Sequence, residues 1–315
     1  MTRIGALRIA AAALALALSA APVAAGPTIF GSAFVSQTGP ATLYGISAAT
    51  GAATPIGAIG FTAVGALDFA SNGVLYGIGI NQRTGQNALL TIDTATGAGT
   101  LVGDTGIVAI GTNFFQDIAF RPSDGTLFAY SASNVYTIDR TTGLATRIGF
   151  TGTGFPNGNA LAFSSANTLY TGNNRDLETI NQTNGLATPV VGLTYPVDDS
   201  RANGMKFDPV SGALYAGVAA GSPGNHNLVN YLATIDIGTG SVTEIGATVT
   251  GLDAIAIPPA TTVAEPAPLA LLGAAFAALG LIRRRGAGRP PARRAGDVRP
   301  SYSAAARTGS AGPLM

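Results

Sequence analysis

Few side chains in this 315-residue chain could carry out acid–base or metal chemistry. It contains no cysteine and one histidine, His226, which excludes a Cys/His pair and a histidine-rich metal site. Carboxylates remain, and Asp68, Asp117 and Asp253 could converge as the paired acids of a glycosidase do. No local sequence marks these three as catalytic, so we predict no catalytic residue, no metal site and no cofactor.

A further group of polar residues recurs at the start of successive apolar segments. If these segments surround one axis, the polar side chains ring the mouth of a channel and could bind a small polar ligand or a cation. A solvated polar channel is the alternative interpretation. The residues are Gln116, Asp117, Asn159, Asn203 and Asp253, with Gly65 or Asp68 at the corresponding place in the first segment.

Aromatic residues lie in the segments next to this predicted ring. Phe115 and Tyr195, together with Phe114 and Phe155, could form a platform on which sugar rings stack. They could equally anchor loops on the sheets. The chain has no tryptophan, which weakens the case for a lectin.

One sequence unit, repeated five times, must position these residues. The copies begin at Leu43, Leu89, Val135, Leu177 and Leu232, at spacings of 46, 46, 42 and 55 residues. In each copy apolar residues alternate before a glycine-containing turn, and two more strand-like segments precede each later copy. This period is typical of a four-stranded blade, so the sequence predicts an all-β fold, a five-bladed β-propeller.

The two ends of the repeat region indicate how the propeller closes. A lone strand at residues 29–34 precedes the first copy, and another at residues 252–257 follows the last. We expect these strands to pair, which removes the open sheet edges. A solenoid or an open sandwich is the alternative. The longest and most varied connections fall on one face, the long-loop face, where we expect any ligand to bind.

The N-terminal residues 1–25 combine arginines, an apolar run and small residues, which predicts a signal peptide cleaved between Ala25 and Gly26. An uncleaved anchor helix is the alternative. Near the other end, Ala267–Ile282 is uncharged and apolar and precedes an arginine cluster. This pattern predicts a transmembrane helix that leaves the repeat domain outside the cytoplasm. The cluster consists of Arg283, Arg284 and Arg285.

The charges are distributed unevenly along the chain. Residues 26–264 contain 7 basic and 14 acidic side chains, a net charge of −7, although the whole chain has +1. An acidic domain of this kind repels a phosphate backbone, so a nucleic-acid partner is excluded.

The segment 263–285 resembles the PEP-CTERM sorting segment, which combines a Pro-Glu-Pro-like motif, a short transmembrane helix and an arginine cluster. Val263, Glu265 and Pro266 match the motif, whereas Ala264 stands where the first proline is usual. The resemblance implies a Gram-negative bacterium that makes extracellular polysaccharide, and an exosortase-type processing enzyme as partner. Residues 286–315, rich in Pro, Gly and Arg, are expected to be a disordered basic tail.

Four regions are therefore predicted: a signal peptide (1–25), a propeller domain (26–262), a sorting segment (263–285) and a tail (286–315). The leading interpretation is an exported, non-enzymatic surface or extracellular-matrix protein, anchored in the inner membrane before processing. One alternative is a carbohydrate-binding propeller that contacts extracellular polysaccharide through the long-loop face. Another is a glycan-cleaving enzyme that uses the channel carboxylates.

Overall fold

The computed structural model describes residues 28–36, 38–111, 113–153, 158–221 and 229–260, which belong to one compact unit. These ranges contain strands and turns but no helix. The strands are β1 (Thr28–Ala33), β2 (Pro40–Ser47), β3 (Ala53–Phe69), β4 (Leu75–Asn81), β5 (Gln86–Ile92), β6 (Gly99–Val108), β7 (Phe115–Phe120), β8 (Leu127–Ser131), β9 (Asn134–Ile138), β10 (Ala145–Phe150), β11 (Gly158–Phe163), β12 (Leu169–Asn173), β13 (Asp176–Ile180), β14 (Ala187–Gly192), β15 (Arg201–Phe207), β16 (Leu214–Ala220), β17 (Val229–Ile235), β18 (Val242–Ala247) and β19 (Leu252–Ala256).

Neighbouring strands pair antiparallel throughout the sheets. Strands β7–β10, β11–β14 and β15–β18 each form a four-stranded sheet in chain order. The other described strands form one sheet in the order β19-β1-β2-β3-β4-β5-β6. The predicted all-β, propeller-like architecture of four-stranded antiparallel sheets is therefore confirmed.

Strand β3 differs from the prediction of two separate strands. It runs for 17 residues, pairs with β2 through its first part and with β4 through its second part. The register shifts between Thr62 and Ala66, where Ala63 has a φ of 45°. A bulge of this kind bends a strand without ending it. One continuous strand thus belongs to two meanders, which alternation of apolar residues alone does not indicate.

The pairing predicted between the two lone strands is present. Strand β19 lies antiparallel to β1, with Phe30 opposite Ala256 and Gly31 opposite Ile255. A Cβ added to Gly31 would lie 2.6 Å from Cδ1 of Ile46 and 2.7 Å from Cδ1 of Leu252, so these side chains pack closely over the glycine. The last strand therefore completes the sheet that the first strand begins.

The innermost strands of the sheets contact one another in a closed series. The second part of β3 contacts β7, β7 contacts β11, β11 contacts β15, β15 contacts β19, and β19 contacts β3. We call these five segments the inner strands and the space that they enclose the channel.

Aromatic pairs hold successive sheets together at the ends of the inner strands. Phe120 packs edge-on against Tyr76 of the preceding sheet, with ring centroids 5.3 Å apart. Phe163 packs in the same way against Phe128, also at 5.3 Å. Each such pair contributes about 0.5–1.5 kcal/mol beyond the apolar area that it buries. The recurring phenylalanine that ends the inner strands is thus explained by packing between sheets.

A second recurring contact joins the outer parts of successive sheets. Gly103 lies against the turn that contains Thr142, and Gly149 lies against the turn that contains Asn184. A Cβ on either glycine would overlap a carbonyl oxygen of that turn. The repeated Val-Gly and Ile-Gly pairs of the sequence therefore mark positions where two backbones touch.

The aspartates of the repeated turns have the local role expected of such residues. Asp139 accepts hydrogen bonds from the backbone N–H groups of Thr141 (2.7 Å) and Thr142 (3.0 Å). These bonds, led by one from the Thr141 hydroxyl, lower the pKa of Asp139 to about 2. Side chains of this kind stabilise a turn by replacing backbone acceptors.

Several predictions concern residues outside the described ranges. These are the signal peptide with Ala25 and Gly26, the sorting segment with Val263, Glu265, Pro266, Arg283, Arg284 and Arg285, the predicted membrane helix Ala267–Ile282, and the tail 286–315. Within the described part of the chain, no helix has the length and apolarity needed to cross a membrane.

Candidate functional site

A cavity of about 580 Å³ lies where the inner strands end and the short turns begin. This is the face opposite to the long-loop face, where ligands were expected. The volume is within the range of small-molecule sites, about 300–1,000 Å³. Its walls combine apolar rings with four charged residues: Asp68 and Lys206 from the inner strands, and Arg121 and Asp208 from the turns. The lining includes Asp68, Phe69, Phe120, Phe163, Lys206, Phe207 and Ile257, together with the turn residues Ser71, Pro122, Ser164 and Asp208.

The two charged residues that come from inner strands, Asp68 and Lys206, occupy the same register position in their strands. Each immediately precedes the apolar residue that ends the strand, as in Asp68-Phe69 and Lys206-Phe207. The corresponding residues of the other inner strands are Ala119, Ala162 and Ala256. Two copies of the repeat thus carry opposite charges at a position that is otherwise alanine.

Asp68 is partly buried at the wall of the cavity. Its Oδ1 accepts a hydrogen bond from the N–H of Phe69 (2.9 Å), and its Oδ2 accepts one from the N–H of Phe120 (2.7 Å) on the next inner strand. Burial raises the pKa of Asp68 to about 6, although the Lys206 ammonium and the two N–H groups oppose this change. Near neutral pH, this carboxyl is therefore able both to accept and to release a proton.

Lys206 reaches across the channel to Asp117. Its Nζ donates to Oδ2 (2.8 Å) and Oδ1 (3.0 Å) of Asp117, and to the carbonyl oxygens of Leu161 and Met205, both at 2.9 Å. The side chain of Lys206 is 5% exposed and that of Asp117 is 0% exposed. The ion pair has no net charge, but Lys206, its positive partner, lines the cavity, whereas Asp117 does not.

Asp117 was predicted to lie in the channel mouth, and that prediction is wrong. Its carboxylate is sealed inside, where it also accepts N–H bonds from Ile118 and Leu161, both at 2.8 Å. Complete burial raises the pKa of Asp117 to about 7, against the opposing effect of Lys206. Because both of its oxygens bind groups of the protein, Asp117 holds neighbouring inner strands and the lysine in place.

The opposite end of the channel brings together two other predicted residues. Asn203 donates its Nδ2 hydrogen to Oδ1 of half-buried Asp253, at 3.0 Å. Gly65 leaves room for that carboxylate, because an added Cβ would lie 2.8 Å from its Oδ2. Burial raises the pKa of Asp253 to about 7, while Arg201 acts in the opposite direction. Arg201 was absent from the predicted set.

Gln116 and Asn159 are two further residues of the predicted ring. The Gln116 amide, with its nitrogen turned toward acceptors, donates to the carbonyl oxygens of Phe114 and Tyr130, each at 3.0 Å. Its donors thus hold the loop before β7. The side chain of Asn159 lies outside the described part of the structure.

The aromatic platform predicted from Phe115 and Tyr195 is not formed. Phe115 is buried, and its ring packs edge-on against Tyr136 at 5.4 Å. The Tyr195 hydroxyl donates to the carbonyl oxygen of Asn173 and accepts a bond from the N–H of Ala202 (3.1 Å). Both residues anchor loops and strands, which is the alternative that the sequence left open.

Lys206 and the cavity itself were missed in the sequence. The available signal was the register of the inner strands, where an alanine position is replaced by Asp68 and Lys206. The pairing of Lys206 with Asp117 could not be predicted, because these residues are 89 positions apart and meet only in the folded chain.

No protein-family model and no curated protein matches the chain. Solved structures resemble it more distantly. A nidogen/laminin complex is 17% identical over 73% of this chain and 98% of that one, with a TM-score of 0.47. A gluconolactonase from Xanthomonas campestris is 14% identical over 72% and 78%, with a TM-score of 0.42. A calcium-binding regucalcin from Agrobacterium tumefaciens is 12% identical over 72% and 78%, with a TM-score of 0.40.

The prediction of a non-enzymatic structural protein is corrected by the cavity at the short-turn end of the channel. That prediction rested on the single histidine, the absence of cysteine and the lack of a catalytic local sequence, whereas the folded chain brings Asp68 and Lys206 to one cavity. At these identities and scores, the similarities transfer no activity or substrate to this chain.

Proposed function

We propose that this protein is an enzyme that hydrolyses a small ester or lactone in the cavity at the short-turn end of the channel. The observation that carries the proposal is the placement of Asp68. It lines the cavity, is partly accessible, and has a pKa raised to about 6 by burial. A general base works best when its pKa lies near the working pH.

The reaction needs only what the cavity supplies. The Asp68 carboxylate accepts a proton from water as the water oxygen bonds to the ester carbon. The carbon–oxygen bond of the ester then breaks, and the leaving oxygen takes the proton back from Asp68. The fixed charge of Lys206 favours the negative charge that develops on the carbonyl oxygen. Lys206 acts through its field, because its ammonium already donates to Asp117 and two carbonyl groups.

A lactone is the substrate class that best suits a site with one base. Its leaving oxygen stays attached to the product, so a single group is able to serve as base and then as acid. The apolar wall formed by Phe69, Phe120 and Phe163 suits the carbon skeleton of such a ring, and the hydroxyl of Ser164 suits a polar substituent.

The test is hydrolysis of a panel of small lactones and esters by the purified protein. The release of protons measures the rate of hydrolysis. We expect kcat/KM to rise with pH through about 6 and then level off, as Asp68 loses its proton. Asp68→Asn should lower kcat by about 10²–10⁴. Asp198→Asn, an exposed carboxylate in a loop, is the matched control and should retain full activity. Equal activity of the wild type and Asp68→Asn would refute the assignment.

Our proposal for this chain also covers the number of blades, export and processing. We propose that the described strands form five blades, that the chain is exported, and that an exosortase-type enzyme processes it near Glu265 and Pro266. The closed series of inner strands supports the blade count. The match of Val263, Glu265 and Pro266 to the sorting motif supports processing. Intact Met315 on most mature molecules, measured by mass spectrometry, would contradict the processing step.

A further inference from the structure

Two neighbouring positions of the β11–β14 sheet depart from the pattern of the repeat. Glu178 in β13 stands where the other copies carry apolar residues, and Thr171 in β12 stands where they carry glycine or alanine. These two residues lie directly opposite each other in the sheet. The counterparts of Glu178 are Tyr44, Leu90, Tyr136 and Ala233, and those of Thr171 are Gly31, Gly77, Ala129 and Ala216.

Both side chains are buried between sheets. Glu178 is 4% exposed and Thr171 is 3% exposed. The Thr171 Oγ1 is buried without a hydrogen-bond partner, and among the described residues Glu178 makes no ion pair with a basic group. The nearest charge that affects it is Asp176, which together with burial raises the pKa of Glu178. A carboxylate buried without a counter-charge is strongly destabilising.

Hydroxyl groups of the neighbouring sheet face this pair. Tyr130 is fully buried and lies within electrostatic range of Glu178. Burial raises the pKa of Tyr130, and the nearby side chains of Thr151, Ser133 and Thr153 oppose this change. The Thr151 hydroxyl in turn lies 2.9 Å from that of Thr153. Tyr130 thus brings a hydroxyl group from the neighbouring sheet within electrostatic range of the Glu178 carboxylate.

This donor set has the chemistry of a site for a hard cation. Hard cations bind carboxylate and hydroxyl oxygens, whereas zinc and copper favour nitrogen and sulfur. Within the described ranges no three His, Cys, Asp or Glu side chains converge, so the site offers a single negative charge. One carboxylate neutralises one monovalent cation and would leave a divalent cation with a buried excess charge.

We propose that Glu178 and Thr171 form a binding site for a monovalent cation, Na⁺ or K⁺, between the β7–β10 and β11–β14 sheets. The Tyr130 hydroxyl supplies a further oxygen from the facing sheet. The site lies on middle strands rather than on the inner strands, so it is separate from the Asp68 cavity. Its role is to join two sheets by neutralising a charge between them.

The test compares thermal unfolding of the full protein in sodium, potassium and tetramethylammonium chloride, each at about 0.15 M. Tetramethylammonium matches the ionic strength but is too large for the site. A cation bound with a dissociation constant of about a tenth of its concentration raises the folding equilibrium constant about elevenfold. We therefore expect a higher Tm in sodium or potassium chloride than in tetramethylammonium chloride.

Two variants assign this effect to the site. Glu178→Leu and Thr171→Ala carry residues found at these positions in other copies, so both should fold. Glu178→Leu should abolish the difference between the salts, and Thr171→Ala should reduce it. Glu244→Gln, which removes an exposed glutamate on β18, should leave it unchanged.

Three results would overturn the proposal. The first is an equal Tm of the wild type in all three salts, and the second is a difference that persists in Glu178→Leu. The third is found with calcium chloride as a fourth salt at the same ionic strength: stabilisation by calcium chloride but not by sodium or potassium chloride would indicate a divalent site. None of these results affects the lactone assay, so the two proposals fail independently.

Discussion

The glycine contacts between sheets predict a large and position-specific effect of one methyl group. In Gly149→Ala the added Cβ would lie 2.7 Å from the carbonyl carbon of Asn184. Carbon atoms in contact are normally about 3.5–4.0 Å apart, so the two backbones must separate by about 1 Å. Overpacking of this kind costs about 1–3 kcal/mol.

Gly192 provides a control in the next sheet, where it lies one position after Val191, the residue that corresponds to Gly149. Its added Cβ would meet no atom closer than 3.9 Å, from the carbonyl oxygen of Arg175. Alanine in a strand is otherwise favoured over glycine by about 0.5–1 kcal/mol. Gly192→Ala should therefore be neutral or slightly stabilising. Because the propensity gain applies to both variants, their unfolding free energies should differ by the overpacking cost, about 1–3 kcal/mol.

The measurement is the free energy of unfolding from urea titrations of the wild type and both variants, with a common m-value. Gly103→Ala should behave like Gly149→Ala, since its Cβ would lie 2.9 Å from the carbonyl carbon of Thr142. If Gly149→Ala and Gly192→Ala shift the unfolding free energy equally, the turns do not pack on these glycines as described.

Three further outcomes are expected. Lys206→Met leaves the Asp117 carboxylate buried without its partner and should lower the unfolding free energy by about 3–5 kcal/mol. In a double-mutant cycle, adding Asp117→Leu should restore much of the lost unfolding free energy. Phe120→Ala removes a buried ring packed on Tyr76 and should cost about 3–5 kcal/mol, whereas Phe150→Ala, at a side chain that is 47% exposed, should change the urea midpoint little. Folding raises the pKa of Asp68 from 3.8 to about 6, so the protonated Asp68 side chain stabilises the folded state. This stabilisation is complete below pH 3.8 and is lost as the pH rises through 6. Asp68→Asn should therefore flatten that part of the curve of unfolding free energy against pH.

Much of the architecture was predictable because the sequence signals for strands and turns are local and recur in each repeat. Alternating apolar residues and turn glycines such as Gly143 indicated the strands, and the lone strands indicated the pairing of β19 with β1. The continuity of β3 was not predictable. Its bulge near Ala63 depends on two meanders of one sheet sharing a strand, and the flanking Gly60 and Gly65 are equally compatible with a turn between two separate strands.

The site was predicted less well, for a physical reason. Loop length suggested the long-loop face, but the cavity arises from the spacing of strand ends, which is a property of the assembled sheets. Asp253 and Asn203 do meet, as the ring of polar residues required. Asp117 was misplaced because a polar residue at the start of a strand gives no sign of a lysine 89 residues away that seals it.

The pairing of β1 with β19 has a consequence for how the chain acquires its structure in time. During synthesis, β1 is among the first strands to emerge and β19 is the last, so the edge of β1 waits unpaired while the intervening strands form. A waiting edge invites pairing with another chain. A chain that crosses a membrane before folding has β19 available when folding starts, which shortens that exposure. Export of an unfolded chain would thus favour the monomeric form over strand exchange between copies.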